Sequence, residues 1–254
     1  KSQLRIMLKN KVAIITGASR GIGKSIALAF ARNGASLVLI CLQDKEALNL
    51  VKAEAESMGA NVINIIGDVA SSDFCDEVVS QALRAFDTVD ILVNCAGAIT
   101  RSVTEEMSNE EWHRVIDVNL HSVLYLSQNV LPIMRKNKYG KIINLTSQMA
   151  HTPHPSASPS YEVSKSGITA LTRHLALEYA KFNICVNNIA PGSIDTDLPK
   201  SMSNDQRQKL KNAVPMQRLG SVDEVADCAL FLSSNMSSYV TGSTIHVNGG
   251  SLIL

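Results

Sequence analysis

An excess of either charge is missing from this sequence: Lys and Arg number 24, Asp and Glu 23, a net of +1. That balance leaves no basic footprint for nucleic acid. No apolar run is long enough to span a bilayer, so no membrane partner is expected. Cysteines are few (Cys41, Cys75, Cys95, Cys185, Cys228), odd in number and without a C-x-x-C pair. Neither a disulfide framework nor a metal site is expected, and the chain reads as a reduced, cytoplasmic protein. Cys41, Cys95 and Cys185 sit in apolar runs, where a free thiol behaves as a small hydrophobe. Residues Lys1 to Asn10 are basic, but they lack the apolar core and cleavage site of a signal peptide. Internal repeats and low-complexity linkers are also missing. At 254 residues, one core and one domain over 1–254 are the default.

What is present is an alternation of strand and helix signals. Lys11 to Ile15 is an apolar, β-branched run that reads as a buried strand. From Ile22 to Ala31, apolar residues recur at helical spacing. Between them lies Thr16-Gly-Ala-Ser-Arg-Gly-Ile-Gly23. Further strands are expected at 36–41, 61–66, 90–94, 141–146, 184–189 and 244–247. Asp44 reads as a helix cap. Capping boxes are expected at Ser108–Glu111, Ser203–Gln206 and Ser221–Glu224. The first opens a long helix through Leu131, which Pro132 should kink or shorten. Another helix should run from about Ser160 to Lys181. The strands are apolar nearly throughout, as in a parallel sheet covered on both faces. The fold class is therefore α/β: a single doubly wound parallel sheet, Rossmann-like, of about seven strands. Its ligands would lie at the carboxyl ends of the strands.

Several residues at those ends can carry chemistry. In the glycine turn, Gly17 allows a sharp bend, while Gly21 and Gly23 let backbone approach a ligand without a Cβ in the way. The helix start beyond offers free N–H groups and a partial positive charge to a phosphate. Alone, the turn is also compatible with an ordinary strand-to-helix connection. Asn94-Cys95-Ala96-Gly97 follows the fourth strand, where small residues would let a flat ring or ribose lie close, and Asn94 could tie neighbouring strands. Ser147 follows the fifth strand. Tyr161 and Lys165, four residues apart, share one helix face. A nearby ammonium favours phenolate, and Ser147 could hydrogen-bond a substrate oxygen as charge develops. Pro191-Gly192 fixes a turn at the end of the sixth strand, and Thr196 could reach a cofactor amide. By spacing alone, Asn119 reads as a polar-face or helix-bending residue. His151 and His154, in a segment with three prolines, read as surface loop rather than metal ligands.

These motifs, in this order from Lys11 to Gly250, resemble the short-chain dehydrogenase/reductase family. The matching pieces are Thr16–Gly23, Asp68-Val69, Asn94–Gly97, Asn119, Ser147, Tyr161-x-x-x-Lys165, Pro191-Gly192 with Thr196, and Asn248-Gly-Gly250. The resemblance implies a nicotinamide dinucleotide with its phosphates over Gly17–Gly23, Ser19, Arg20 and Ile22 included, and its adenine near Asp68 and Val69. It implies Tyr161 as acid/base and Ser147 as the group that orients the carbonyl. Lys165 would hold the nicotinamide ribose and lower the Tyr161 pKa. Asn119 would join a proton relay to Lys165, and Ile194 and Thr196 would hold the carboxamide. The helix from Ser160 carries an apolar stripe of Ile168, Leu171, Leu175 and Tyr179 that could cover the sheet or a partner, and the resemblance implies a homotetramer built through this helix and the 111–131 helix.

Within the family the chain is most similar to bacterial 3-oxoacyl-acyl-carrier-protein reductases. It departs from them at Pro132 and Phe182, where arginines for the acidic carrier often stand, and in a longer segment between Ser147 and Tyr161. Docking on a carrier protein is therefore doubtful. Part of the chain also resembles sugar-acid and polyol dehydrogenases. A non-catalytic dinucleotide-binding scaffold or sensor is the reading from another class. About 20 residues past the glycine turn, where an acidic residue would bind a ribose 2′-hydroxyl, stands Cys41. With Arg20 available to a 2′-phosphate, NADP(H) is favoured over NAD(H).

Overall fold

The computed structural model describes residues 6–155, 157–196 and 203–254. Its first half runs β1 (Val12–Thr16), α1 (Gly21–Arg32), β2 (Ser36–Cys41), α2 (Lys45–Ser57), β3 (Val62–Ile66), α3 (Ser72–Phe86) and β4 (Ile91–Asn94). Next come α4 (Asn109–Ile116), α5 (Ser122–Asn137), β5 (Gly140–Leu145), α6 (Pro159–Tyr179) and β6 (Ile184–Pro191). The chain closes with β7 (Ile194–Asp195), α7 (Asn204–Asn212), β8 (Gly220–Ser221), α8 (Val222–Ser233) and β9 (Thr244–Val247).

Seven strands make one sheet in the order β3-β2-β1-β4-β5-β6-β9, with every pairing parallel. Side chains alternate across it, as the period of two demands. Ile15, Leu37, Leu39, Ile91, Val93 and Ile143 face a core closed by Phe30 of α1, Leu48 of α2 and Ala229 of α8. Ile14, Val38, Leu92, Ile142 and Val186 face the opposite core, closed by Val79 of α3, Leu126 of α5 and Leu175 of α6. The chain leaves β1 toward β3 on one side and returns at β4 on the other. That reversal opens a crevice beyond the carboxyl ends of β1 and β4. No described helix is long and apolar enough to cross a membrane.

The structure corrects some expectations and settles others. Pro132 does not end its helix, because α5 continues around it to Asn137 and stops at Lys138 in the left-handed region. The break lies earlier, where Asp117–His121 forms a π-helical segment between α4 and α5. The capping box at Ser108 is half made: Ser108 Oγ accepts from Glu111 N at 3.1 Å, but the Glu111 carboxylate accepts from Ser102 Oγ at 2.7 Å instead of reaching back. The other two boxes are complete. The apolar stripe of α6 covers its own sheet: Ile168 and Leu175 are buried, and Leu171 and Tyr179 pack on the same core. A second copy would meet other residues of that helix. The two-stranded ladder of β7 and β8 had no sequence signal, since each strand is two residues long.

Candidate active site

Thr16 joins the two strand ends that flank the crevice. Its buried hydroxyl accepts from Cys95 N at 3.0 Å and from Ala96 N at 2.9 Å. Gly17 follows at φ +67°, and a Cβ there would stand 3.0 Å from Ala96 Cα. A Cβ on Gly23 would stand 2.2 Å from Gly17 O. Backbone therefore packs on backbone at both positions, which only glycine permits. The close turn brings the first N–H groups of α1 to the crevice, with no side chain capping them.

The crevice encloses a cavity of about 760 Å³, within the range of small-molecule and cofactor sites. Gly17, Ser19, Arg20, Gly21, Ile22 and Gly23 line one wall. Asp68 and Val69 line the far end, and Ala96 and Gly97 the floor. Thr196 faces Gly21, its Cγ2 3.7 Å from where a Cβ of that glycine would be. A glycine-lined helix start joined to a long cleft fits a dinucleotide with its pyrophosphate at α1. Sequence reasoning missed two parts of this wall. Gln43 lines the cavity beside Cys41 and Leu42. Arg114 reaches from α4 to bond Asp68 Oδ2 at 2.5 Å. Burial works against the Asp68 charge, but the bonds from Arg114 and Ala70 N outweigh it and hold its pKa below the usual range. Asp44 lines the cavity too, while its carboxylate caps α2 by accepting from Ala47 N at 3.0 Å.

Besides Tyr161 and Lys165, four residues expected at the cofactor lie off the cavity wall. Asn94 Nδ2 donates to Asn144 Oδ1 at 2.8 Å, so the side chain ties β4 to β5. Ile194 packs against the core. Gly192 N donates to Val247 O at 2.9 Å, which fixes Pro191-Gly192 beside Asn248 and Gln148.

The chemistry collects where β5 meets α6. Ser147 Oγ accepts from Met149 N at 3.1 Å and lies close enough to the Tyr161 hydroxyl to draw its pKa downward. Lys165 is buried, and its Nζ donates to Leu145 O at 2.7 Å. It stands 5.7 Å from the Tyr161 ring centroid. Asn119 is fully buried in the π segment and clamps the backbone of Ala98: Oδ1 accepts from its N at 2.7 Å, and Nδ2 donates to its O at 2.9 Å. Nδ2 also donates to Ser164 Oγ of α6 at 2.9 Å. Gly97 lies between the groups, with Asn119 Oδ1 and Lys165 Nζ 3.5 and 3.6 Å from its missing Cβ. The polar-face reading of Asn119 is therefore wrong: its amide points inward, because the π segment turns it there.

Electrostatics also depart from expectation. Burial raises the Tyr161 pKa, and only the Ser147 hydroxyl opposes that rise. The Lys165 ammonium, 5.7 Å from the ring centroid, is turned onto Leu145 O. Burial in turn brings the Lys165 pKa down to about 8. The ammonium therefore predominates below about pH 8 and is lost as the pH rises through that value. Dinucleotide affinity should weaken over the same rise if Lys165 binds the ribose, and Lys165→Met should abolish the dependence. Fluorescence titration of NADPH against pH checks this; wild-type affinity that stays level would contradict it.

His151 has become one of a ring pair: its centroid lies 5.0 Å from that of His246, edge to face. His151 Nε2, His246 Nδ1 and Gln148 Oε1 are buried without a hydrogen-bond partner.

A family described as Enoyl-(Acyl carrier protein) reductase matches residues 17–251. A 3-oxoacyl-[acyl-carrier-protein] reductase FabG of Staphylococcus epidermidis is 37% identical over 241 residues, covering 95% of this chain and 98% of the relative. The reductase of the same name from Escherichia coli is 37% identical over 242 residues, with 95% and 97% covered. A crystal structure titled a putative short-chain alcohol dehydrogenase from Sinorhizobium meliloti superposes with a TM-score of 0.91 at 32% identity, covering 97% of this chain and 98% of that one. The matches extend over nearly the whole chain, which belongs to the short-chain dehydrogenase/reductase family, nicotinamide-dinucleotide oxidoreductases acting on CH–OH groups.

Proposed function

We propose that this protein interconverts a ketone and a secondary alcohol with NADP(H), and that a 3-oxoacyl thioester is its leading substrate. The observation that carries the reading is the placement of Ser147 near Tyr161, with Lys165 beside that ring and beside Gly97, at the inner end of a dinucleotide-sized cleft. The bound nicotinamide supplies or accepts the hydride. Ser147 donates to the carbonyl oxygen as negative charge grows there, its own lone pair already engaged by Met149 N. Tyr161 delivers the proton to that oxygen in reduction and removes it in oxidation. Lys165 turns from Leu145 O to the ribose hydroxyls, and its ammonium then steadies the phenolate. Asn119 holds the Ala98 backbone and, through Ser164, the start of α6, so the floor and the acid/base group keep one spacing. A proton relay from Lys165 past Asn119 belongs to the same reading.

At the ribose corner stand Cys41, Leu42 and Gln43, and the nearby Asp44 spends one carboxylate oxygen on capping α2. Arg20 is exposed on the same cavity and suits a 2′-phosphate. Free cysteines throughout suit a cytoplasmic setting. A homotetramer is part of this reading, built through α4, α5 and the exposed side of α6, where Leu177 stands 84% exposed. Against docking on an acidic carrier, Phe182 stands where an arginine often does. Arg135 and Lys181 flank its ring at 6.0 and 5.2 Å and offer some of the missing charge.

A sugar-acid or polyol substrate is the second reading, favoured by one observation. Gln148, directly after Ser147, and the His151–His246 pair offer unpartnered polar atoms rather than an apolar wall. Following NADPH oxidation with acetoacetyl thioesters, keto-sugar acids and simple diketones separates the two. Turnover of the thioester above the rest supports the first reading, and turnover of the keto acid the second. NADPH binding without turnover of any of them would support a scaffold or sensor instead.

A further inference from the structure

A row of buried amides crosses the sheet one step behind the active site. Asn94, Asn144 and Asn188 are register partners on β4, β5 and β6, and Thr244 of β9 continues the row. Two residues earlier on each central strand stand Leu92, Ile142 and Val186, which also pair in register and belong to the core facing α6. Side chains two apart share a face. The amides therefore replace apolar side chains on a face that is otherwise hydrocarbon. Asn144, Asn188 and Thr172 of α6 are fully buried.

The row is hydrogen-bonded from end to end. Asn94 Nδ2 donates to Asn144 Oδ1 at 2.8 Å. Asn144 Nδ2 donates to Thr172 Oγ1 at 2.8 Å, and Thr172 Oγ1 donates to Asn188 Oδ1 at 2.6 Å. Asn188 Nδ2 donates to Thr244 Oγ1 at 3.1 Å. Thr172 is the one helical member, and its hydroxyl is both acceptor and donor between two strands. It stands seven residues past Lys165, two turns along the same face of α6. Lys165 itself is bonded to Leu145 O, the residue after Asn144. Helix α6 is thus fastened to the end of β5 at two points, and one of them is the lysine expected to let go.

We propose that Thr172 is a positioning residue for the Tyr161–Lys165 pair. It fixes the rotation and height of α6 against the strand that ends in Ser147, so that Lys165 can turn to the ribose without carrying the helix with it. This rests on the acid/base reading of Tyr161. A hydrophobic contact would hold the helix near the sheet but would not set its rotation. Two hydrogen bonds from different strands to one hydroxyl do both, and misplacement by about 1 Å at a reacting centre is enough to cost about a hundredfold in rate.

The test compares Thr172→Val, which keeps the shape and removes the hydroxyl, with Thr172→Ser, which keeps the hydroxyl. One readout is kcat at saturating NADPH and substrate. A second needs no turnover: the phenolic pKa of Tyr161 with NADP⁺ bound, taken as the tyrosinate absorbance titration minus that of the same protein carrying Tyr161→Phe. Thr172→Val should lower kcat about tenfold or more and move the Tyr161 pKa upward, while Thr172→Ser restores both to within about threefold and the wild-type pKa. Lower thermal stability with kcat and the Tyr161 pKa unchanged would overturn the proposal, leaving Thr172 a purely structural residue. Should the wild type turn over no carbonyl, the acid/base reading fails, and an unmoved Tyr161 pKa in Thr172→Val would still overturn this one separately. If Thr172→Val does not fold, Asn188→Leu, which removes the acceptor that Thr172 bonds without adding charge, is measured in the same way. An unmoved pKa there counts against the proposal, and an upward shift supports it.

Discussion

Tyr161→Phe should lower kcat at least about a hundredfold while NADPH still binds. The ring stays, so the packing of α6 is kept, and only the hydroxyl that lies near Ser147 is lost. Without it no group placed at the carbonyl can exchange the proton, since Ser147 is far too weak an acid and Lys165 is turned to Leu145 O. Stopped-flow measurement of hydride transfer, with NADPH affinity measured alongside, checks the claim. Near-normal turnover in the variant would end the mechanism proposed above. Lys165→Ala should behave differently, losing turnover and affinity together, because one ammonium serves both the ribose and the phenolate.

Cys41→Asp should move cofactor preference toward NADH by one to two orders of magnitude in kcat/KM, roughly 1.4–2.7 kcal/mol. Cys41 ends β2 at the cavity wall, and its thiol donates to Asp44 O at 3.4 Å. A carboxylate there would accept from the ribose hydroxyl of NADH and repel the 2′-phosphate of NADPH. Asp44, three residues further on, directs one carboxylate oxygen to Ala47 N as the cap of α2. Arg20→Ala should weaken the wild-type preference for NADPH, since the guanidinium is exposed and free to pair with that phosphate. Steady-state kcat/KM for both cofactors in the three proteins decides it. A wild type that prefers NADH, with Arg20→Ala unchanged, would refute this account of the ribose corner.

What the sequence revealed was what local rules control. The β-branched runs, the glycine turn and the caps at Asp44, Ser203 and Ser221 have short-range causes, and each stands where it was expected. The parallel sheet of about seven strands was legible too, but the order of its strands was not. What stayed hidden depends on partners far along the chain. Arg114 joins the cavity wall only through folding, and its ion pair with Asp68 spans 46 residues. Asn119 looked like an exposed helical amide because a regular 3.6-residue period was assumed through Asp117–His121, where the helix is wound as π. The effect of Lys165 on Tyr161 was read from spacing alone, and spacing says nothing about which way a buried lysine turns. The amide row was half legible: Asn94 was seen as a strand tie, but its partners at 144, 172 and 188 come together only in the folded sheet.

The strand order also sets how the chain assembles as it is made. β1, β2 and β3 appear first and build outward on one side; β4, β5 and β6 then extend the other side in turn. Each new strand finds a finished edge waiting, so the sheet can grow along the direction of synthesis. β9 breaks that rhythm: it pairs with β6 only after some fifty intervening residues have emerged. Until then β6 is a bare edge. Asn187 lacks Val240 O and Ser243 N, and Asn188 lacks the Thr244 hydroxyl. The partly synthesised protein thus carries an association-prone edge next to β5, the strand that leads into Ser147, and the later-made β9 is what covers it.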